Sequence, residues 1–156
     1  MIVPKRLGHV VFRVADIARS KDFYTRLLGF HVVEEDPDHG GVFMGLGEEI
    51  HTLDLIPSTA PASGGPHHVF RSFDGLGVHH VAFAVDSHAA LAAAYFELAD
   101  NQVPILAAMD HVSQESIYFS DPDGNIIELY WERPDAREIF ARGRGDQDAE
   151  LVFTRG

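Results

Sequence analysis

The stretch Ser116–Trp131, SIYFSDPDGNIIELYW, decides the fold. It reads as a β-hairpin, with two alternating runs joined by a turn at Asp121-Pro122-Asp123-Gly124. Side chains two apart on a strand share a face. Ile127, Leu129 and Trp131 therefore form one apolar row, and Ile117 and Phe119 another. The opposite row holds Ile126, Glu128 and Tyr130, facing Ser116 and Tyr118 across the hairpin. The Glu128 carboxylate is the anomaly, since it is costly if buried without a partner and ordinary if solvated.

The same design recurs upstream. GVHHVAFAV (77–85) places Val81, Phe83 and Val85 on one face and His80, Ala82 and Ala84 on the other, with His79 on the apolar side. Asp86 or Ser87 caps an alanine-rich helix ending near Asn101, and strands follow near 103–108, 115–120 and 125–131. Further back, LGHVVFRV (7–14) sets Val10, Phe12 and Val14 against His9, Val11 and Arg13. Asp16 can cap the helix DIARSKDFYTRLL, which Gly29 stops. Short strands are expected near 30–36, 41–46 and 50–56, the last with Thr52, Asp54 and Ile56 on one face.

A slide of 71 residues lays His9 on His80, Phe12 on Phe83 and Tyr24 on Tyr95, and three more residues bring Asp54 onto Glu128. This is one βαβββ unit used twice. The expected class is α+β, with two tandem βαβββ modules forming a curved mixed β-sheet cup and helices on the outside. The modules span 1–57 and 77–132, with a Pro/Ser/Gly-rich connector at 58–76 and a tail at 133–156. In the tail, DAREIFARG suggests a short helix, and the closing LVF either docks on a partner subunit or frays. The cavity face carries His9, His80, Glu128, Asp54 and Arg13.

Composition narrows the function. At 156 residues, 46% hydrophobic and 23% charged, the chain is an ordinary globular protein. A net charge of −12 without a Lys/Arg cluster argues against nucleic acid or anionic membrane as partner. There is no cysteine, and no stretch resembles a signal peptide or membrane span, so a cytoplasmic location is expected. Ten histidines are many for this length and hint at metal or acid–base chemistry.

Paired modules with His on each first strand and IEL on the last resemble the vicinal oxygen chelate superfamily. Its members include glyoxalase I, methylmalonyl-CoA epimerase, fosfomycin-resistance transferases, bleomycin-binding proteins and type I extradiol dioxygenases. The likeness covers roughly residues 5–132. GVHHVAFAV and DHVSQESIYFSDPDGNIIELYW look most like the extradiol branch, although well-known members there have four modules per chain. The resemblance implies His9, His80 and Glu128 as ligands of a divalent metal, Fe(II) first, with Mn, Zn or Ni also compatible. It also implies His111 and Tyr118 beside a bound catechol-type diol.

Two imidazoles and one carboxylate on one side of an ion form the facial triad of non-haem Fe(II) oxygenases. Three positions then stay open, two for the vicinal oxygens of an aromatic diol and one for O₂. Blander readings stand beside these. Tyr118 also reads as a cross-strand packing residue, and His111 as a surface loop residue, with His67 and His68 as further acid–base candidates. Arg13 suits an anionic substrate or a salt bridge to Asp54 or Glu128. The aspartates of DPDG serve the turn. Asp54 as a fourth ligand would favour a lyase, isomerase or transferase, and loss of the ligands would favour a metal-free aromatic- or antibiotic-binding resistance protein. A homodimer is expected because two modules leave strand edges open.

Overall fold

The alternation of Val10, Phe12 and Val14 produces the first strand, β1 (Val10–Val14), with Val14 fully buried. Asp16 holds extended backbone, and its carboxylate accepts from the Arg19 N–H at 3.0 Å, satisfying a donor that the first helical turn leaves free. The helix α1 (Ile17–Leu28) follows, and Gly29 closes it at φ 70°, a left-handed conformation open to glycine. Strands β2 (His31–Glu35), β3 (Val42–Leu46) and β4 (Glu49–Pro57) complete a sheet of order β1-β4-β3-β2. Only β1 and β4 run parallel. Tyr24 of α1 is fully buried, its ring centroid 6.2 Å from Phe12 and 5.7 Å from Phe30.

A computed structural model of the chain describes residues 1–59, 77–143 and 147–155, in two compact units, Met1–His67 and His68–Gly156. Apart from Ser58 and Thr59, the connector expected at 58–76 lies outside the described residues, as do His67 and His68.

The second unit repeats the plan. β5 (Val81–Ala84) leads to α2 (His88–Asp100), capped by the Ser87 hydroxyl, which accepts from Ala90 N–H at 3.0 Å. Then come β6 (Ile105–Asp110), β7 (Gln114–Ser120), β8 (Ile126–Glu132), α3 (Ala136–Arg142) and β9 (Ala149–Glu150). The sheet order is β5-β8-β7-β6-β9, with β5 parallel to β8. Leu91 and Leu98 of α2 are buried with Ile117, Phe119 and Ile127, the row read from the sequence as apolar. Each fully buried side chain of this size contributes about 1.5–3 kcal/mol. The hairpin turn also forms as read: Asp121 Oδ1 accepts from the backbone of Asp123 (2.9 Å) and Asn125 (2.8 Å).

The chain is thus α+β, with two mixed sheets and three helices among the described residues. None of these helices is long and apolar enough to cross a membrane. Two details differ from the sequence reading. The first strand of each unit begins later, at Val10 and Val81, so His9 and His80 stand just ahead of the ladders. The tail docks on its own unit. β9 pairs with β6, Phe153 lies 5.0 Å from the Tyr95 ring, and the Arg155 guanidinium lies 4.9 Å from the Phe96 ring centre and bonds Asp100. Phe153 therefore has an apolar seat within the unit.

Candidate functional site

In the second unit the hairpin register sets Tyr118 directly opposite Glu128, and the parallel pairing sets Ala82 beside Glu128. His80, two residues before Ala82, reaches the same place: its Nε2 is 2.9 Å from Glu128 Oε2. The other oxygen, Oε1, accepts from the Tyr118 hydroxyl and from Gln114 Nε2, both at 3.0 Å. Glu128 is only 3% exposed, and no Lys or Arg pairs with it among the described residues. A carboxylate buried among donors that need carry no charge lacks a counter-charge, and a divalent cation beside an imidazole supplies one. His80 and Glu128 therefore offer two donors to a cation, whereas the group of three whose donor atoms lie within 4.8 Å of one another, and so could hold an ion, is His9, His51 and Asp54 of the first unit. Burial, and then the charge of Glu128, push the Tyr118 hydroxyl well above its ordinary pKa of 10.0, so it stays a proton donor.

His111 is aimed at the same spot by a tight turn between β6 and β7. Val112, a β-branched residue, is held there at φ 67°, with its N–H on Asp110 Oδ1 at 2.8 Å. His111 Nε2 lies 3.0 Å from the Tyr118 hydroxyl, and its Nδ1 lies 3.0 Å from Asp148 Oδ2 in the tail. Over these groups lies a cavity of about 300 Å³. Leu106, Ala107, Met109 and Ile126 make its apolar walls, with His80 and Tyr118 at its polar end. His79 also lines it and touches His80, Nδ1 to Nδ1, at 2.7 Å. Alternation had put His79 on the opposite face, but it precedes β5, where strand alternation no longer holds.

The first unit builds its own cluster. Val11 pairs with Asp54 as Ala82 pairs with Glu128, so His9 and Asp54 hold the backbone positions of His80 and Glu128. Asp54 is buried at 5% exposure, with its Oδ2 3.7 Å from His9 Nε2 and its Oδ1 2.8 Å from His51 Nε2. The His9 and His51 rings stack at 4.1 Å. Among the described residues the ion-pair partners of Asp54 are His9 and His51, not Arg13. His51 escaped the sequence reading because alternation puts it with Leu53 and Leu55. Between the pairs Met44↔Leu53 and Leu46↔Glu49, β3 advances two residues while β4 passes four, and that irregularity turns His51 toward Asp54. The signal available was a histidine three residues before a buried acid.

Of the residues singled out from the sequence, the second unit brings together His80, Glu128, Tyr118 and His111, while His9 belongs to the first unit with Asp54 and His51. Residues 6–129 match the family model of the glyoxalase/bleomycin resistance protein/dioxygenase superfamily. The chain belongs to that superfamily. This superfamily chain is similar to two dioxygenases of Rhodococcus globerulus. It is 30% identical to biphenyl-2,3-diol 1,2-dioxygenase 2, covering 92% of this chain and 73% of the relative. It is 32% identical to biphenyl-2,3-diol 1,2-dioxygenase 3, covering 83% of this chain and 64% of the relative, so the latter extends well beyond the match. The metallothiol transferase FosB of Staphylococcus epidermidis is 29% identical over 81% of this chain and 83% of its own. A crystal structure of a glyoxalase/dioxygenase from Nostoc punctiforme matches with a TM-score of 0.69 and 22% identity, over 85% of this chain and 97% of that one, which speaks for the shared fold. The superfamily thus joins dioxygenases and a transferase on one scaffold, and the site has to choose between them.

Proposed function

We propose that this chain is an extradiol ring-cleaving dioxygenase for a catechol-type aromatic diol, with Fe(II) held by His9, His80 and Glu128. The observation that carries the reading is the buried Glu128 carboxylate bonded by His80 and Tyr118, which with His111 line an apolar cavity. When bound, the ion supplies Lewis acidity and the electrons exchanged with O₂. The protein's own groups do the rest. Leu106, Met109 and Ile126 present apolar surface to a planar ring and exclude water from it. The Tyr118 hydroxyl, kept protonated, turns from Glu128 to a diol oxygen and fixes the ring's orientation. His111 Nε2 takes a hydroxyl proton from the substrate. His79 bonds the far nitrogen of His80 and orients that ring. His9 comes from the first unit of the same chain or of a second copy in a homodimer. The likeness to two biphenyl-diol dioxygenases supports this reading.

A second reading rests on Asp54, the positional counterpart of Glu128 beside His9. A four-donor set would suit a lyase, isomerase or transferase, and the FosB likeness supports that class. Anaerobic reconstitution with Fe(II), then catechol or 2,3-dihydroxybiphenyl and air, separates the two. A yellow ring-fission product is expected. Its absence together with turnover of methylglyoxal and glutathione would favour the second reading.

A further inference from the structure

The C-terminal tail reaches the edge of the site, and one of its carboxylates faces a site histidine. Asp148 stands just before β9, which is fixed in register on β6 by the pairs Met109↔Glu150 and Asp110↔Ala149. The backbone N–H of Leu151 adds a bond to Ala108 O at 2.9 Å. Beyond it, Phe153 and Arg155 hold the strap against α2. The strap is thus seated from Ala149 onward, immediately after Asp148, and Asp148 Oδ2 lies 3.0 Å from His111 Nδ1.

Donor accounting gives this contact a consequence. Asp148 and Glu128, as carboxylates, only accept, and Tyr118 brings one hydroxyl proton. Three contacts run in series, Asp148 to His111, His111 to Tyr118 and Tyr118 to Glu128, each at 3.0 Å. A neutral imidazole and Tyr118 bring two protons to these three contacts: with the imidazole proton on Nδ1, Asp148 is served, the Tyr118 hydroxyl turns its proton to the Nε2 lone pair, and Glu128 Oε1 keeps the Gln114 amide donor. The alternative tautomer would set the Nδ1 lone pair against the carboxylate oxygens.

We propose that Asp148 is a positioning residue that fixes the Nδ1–H form of His111, leaving Nε2 as the proton acceptor in the cavity. This rests on the reading of His111 as the proton-accepting group, but its first test does not need that reaction. The strained turn at Val112 supports it, because a backbone held at positive φ beside His111 commits the ring to one place. The carboxylate then commits the ring's proton. A histidine held by a carboxylate in this way has its tautomer and orientation set by that partner.

The test uses the full chain, stripped of metal with EDTA and labelled with ¹⁵N-histidine, at mildly alkaline pH. Long-range ¹H–¹⁵N spectra report the tautomer, and His111→Gln assigns the His111 signals. Wild type is expected to show His111 protonated at Nδ1, and Asp148→Ala to move it to the Nε2–H pattern with the other histidines unchanged. An unchanged His111 pattern in a folded Asp148→Ala protein overturns the proposal. In the Fe(II)-loaded enzyme, Asp148→Ala should lower kcat about 10-fold with KM nearly constant, against about 10²-fold for His111→Gln. Should ring cleavage be absent altogether, the function fails while the tautomer result still decides the role of Asp148.

Discussion

The two units share a strand order, a helix position and a His–carboxylate register, yet they dress that register differently. In the first, Asp54 is engaged by a second imidazole, His51, and His9 is stacked on that imidazole. In the second, Glu128 is surrounded by a hydroxyl, an amide and one imidazole, with a turn and a tail bringing His111 within reach. Duplication reproduced the backbone geometry, and side-chain substitution made the copies unequal. The lesson is that equivalent positions in a repeat need not have equivalent chemistry. One methylene and one extra histidine separate the two carboxylates: Asp54 sits in a His–His–Asp group whose donor atoms lie within 4.8 Å of one another, and Glu128 sits beside a single imidazole.

The strongest way to break this contrast is to remove each carboxylate's charge. Glu128→Gln should lower ring cleavage by at least about 10³-fold and reduce the metal-to-protein ratio, while Asp54→Asn should cost less than about 10-fold. Steady-state rates and elemental analysis read both. Equal losses would make the units equivalent and move the weight to the four-donor enzymes.

Tyr118→Phe comes next, with an expected fall in kcat of about 10- to 100-fold. The same variant has a pH signature in metal-stripped protein. The folded pKa of Tyr118 is raised above the unfolded value of 10.0, so the native state keeps a proton that the unfolded chain releases. The resulting stability is full below that pH and is lost as pH rises above it. Denaturant midpoints from about pH 9 to about pH 11 should fall less steeply in Tyr118→Phe than in wild type.

A third change tests the irregularity behind His51. A Cβ at Gly45 would lie 2.1 Å from Glu49 O and 2.6 Å from His31 Nε2, and the backbone oxygen cannot swing aside as a side chain does. Gly45→Ala should destabilise the first unit by about 2 kcal/mol or more and leave the second unit's His111 spectrum untouched. Urea unfolding followed separately by first-unit and second-unit probes checks it. The smallest effect belongs to His51→Ala. Its side chain is partly exposed, so loss of its bond to Asp54 should cost less than about 1 kcal/mol. Activity should change less than about 3-fold unless the freed Asp54 becomes a ligand.

Much of this was legible in the chain. The period-two rows at Val10/Phe12/Val14 and Ile127/Leu129, the caps at Asp16 and Ser87, and the stop at Gly29 are local rules, and each appears as read. The placement of Tyr118 across from Glu128 was also legible, because a short turn fixes a hairpin's register. His79, His51 and the docking of Phe153 were not, each depending on where a ladder starts, where it slips or what distant surface is free.

The sequence by itself determined the duplicated βαβββ plan and the candidate donors, since periodicity, capping and turn chemistry act over a few residues. Tertiary structure alone decided which imidazole meets which carboxylate. It tied Asp54 to His51 through a slipped ladder, and it brought Asp148 to His111 by pairing the tail with β6. Such contacts join residues far apart along the chain, and no local rule carries information over that distance.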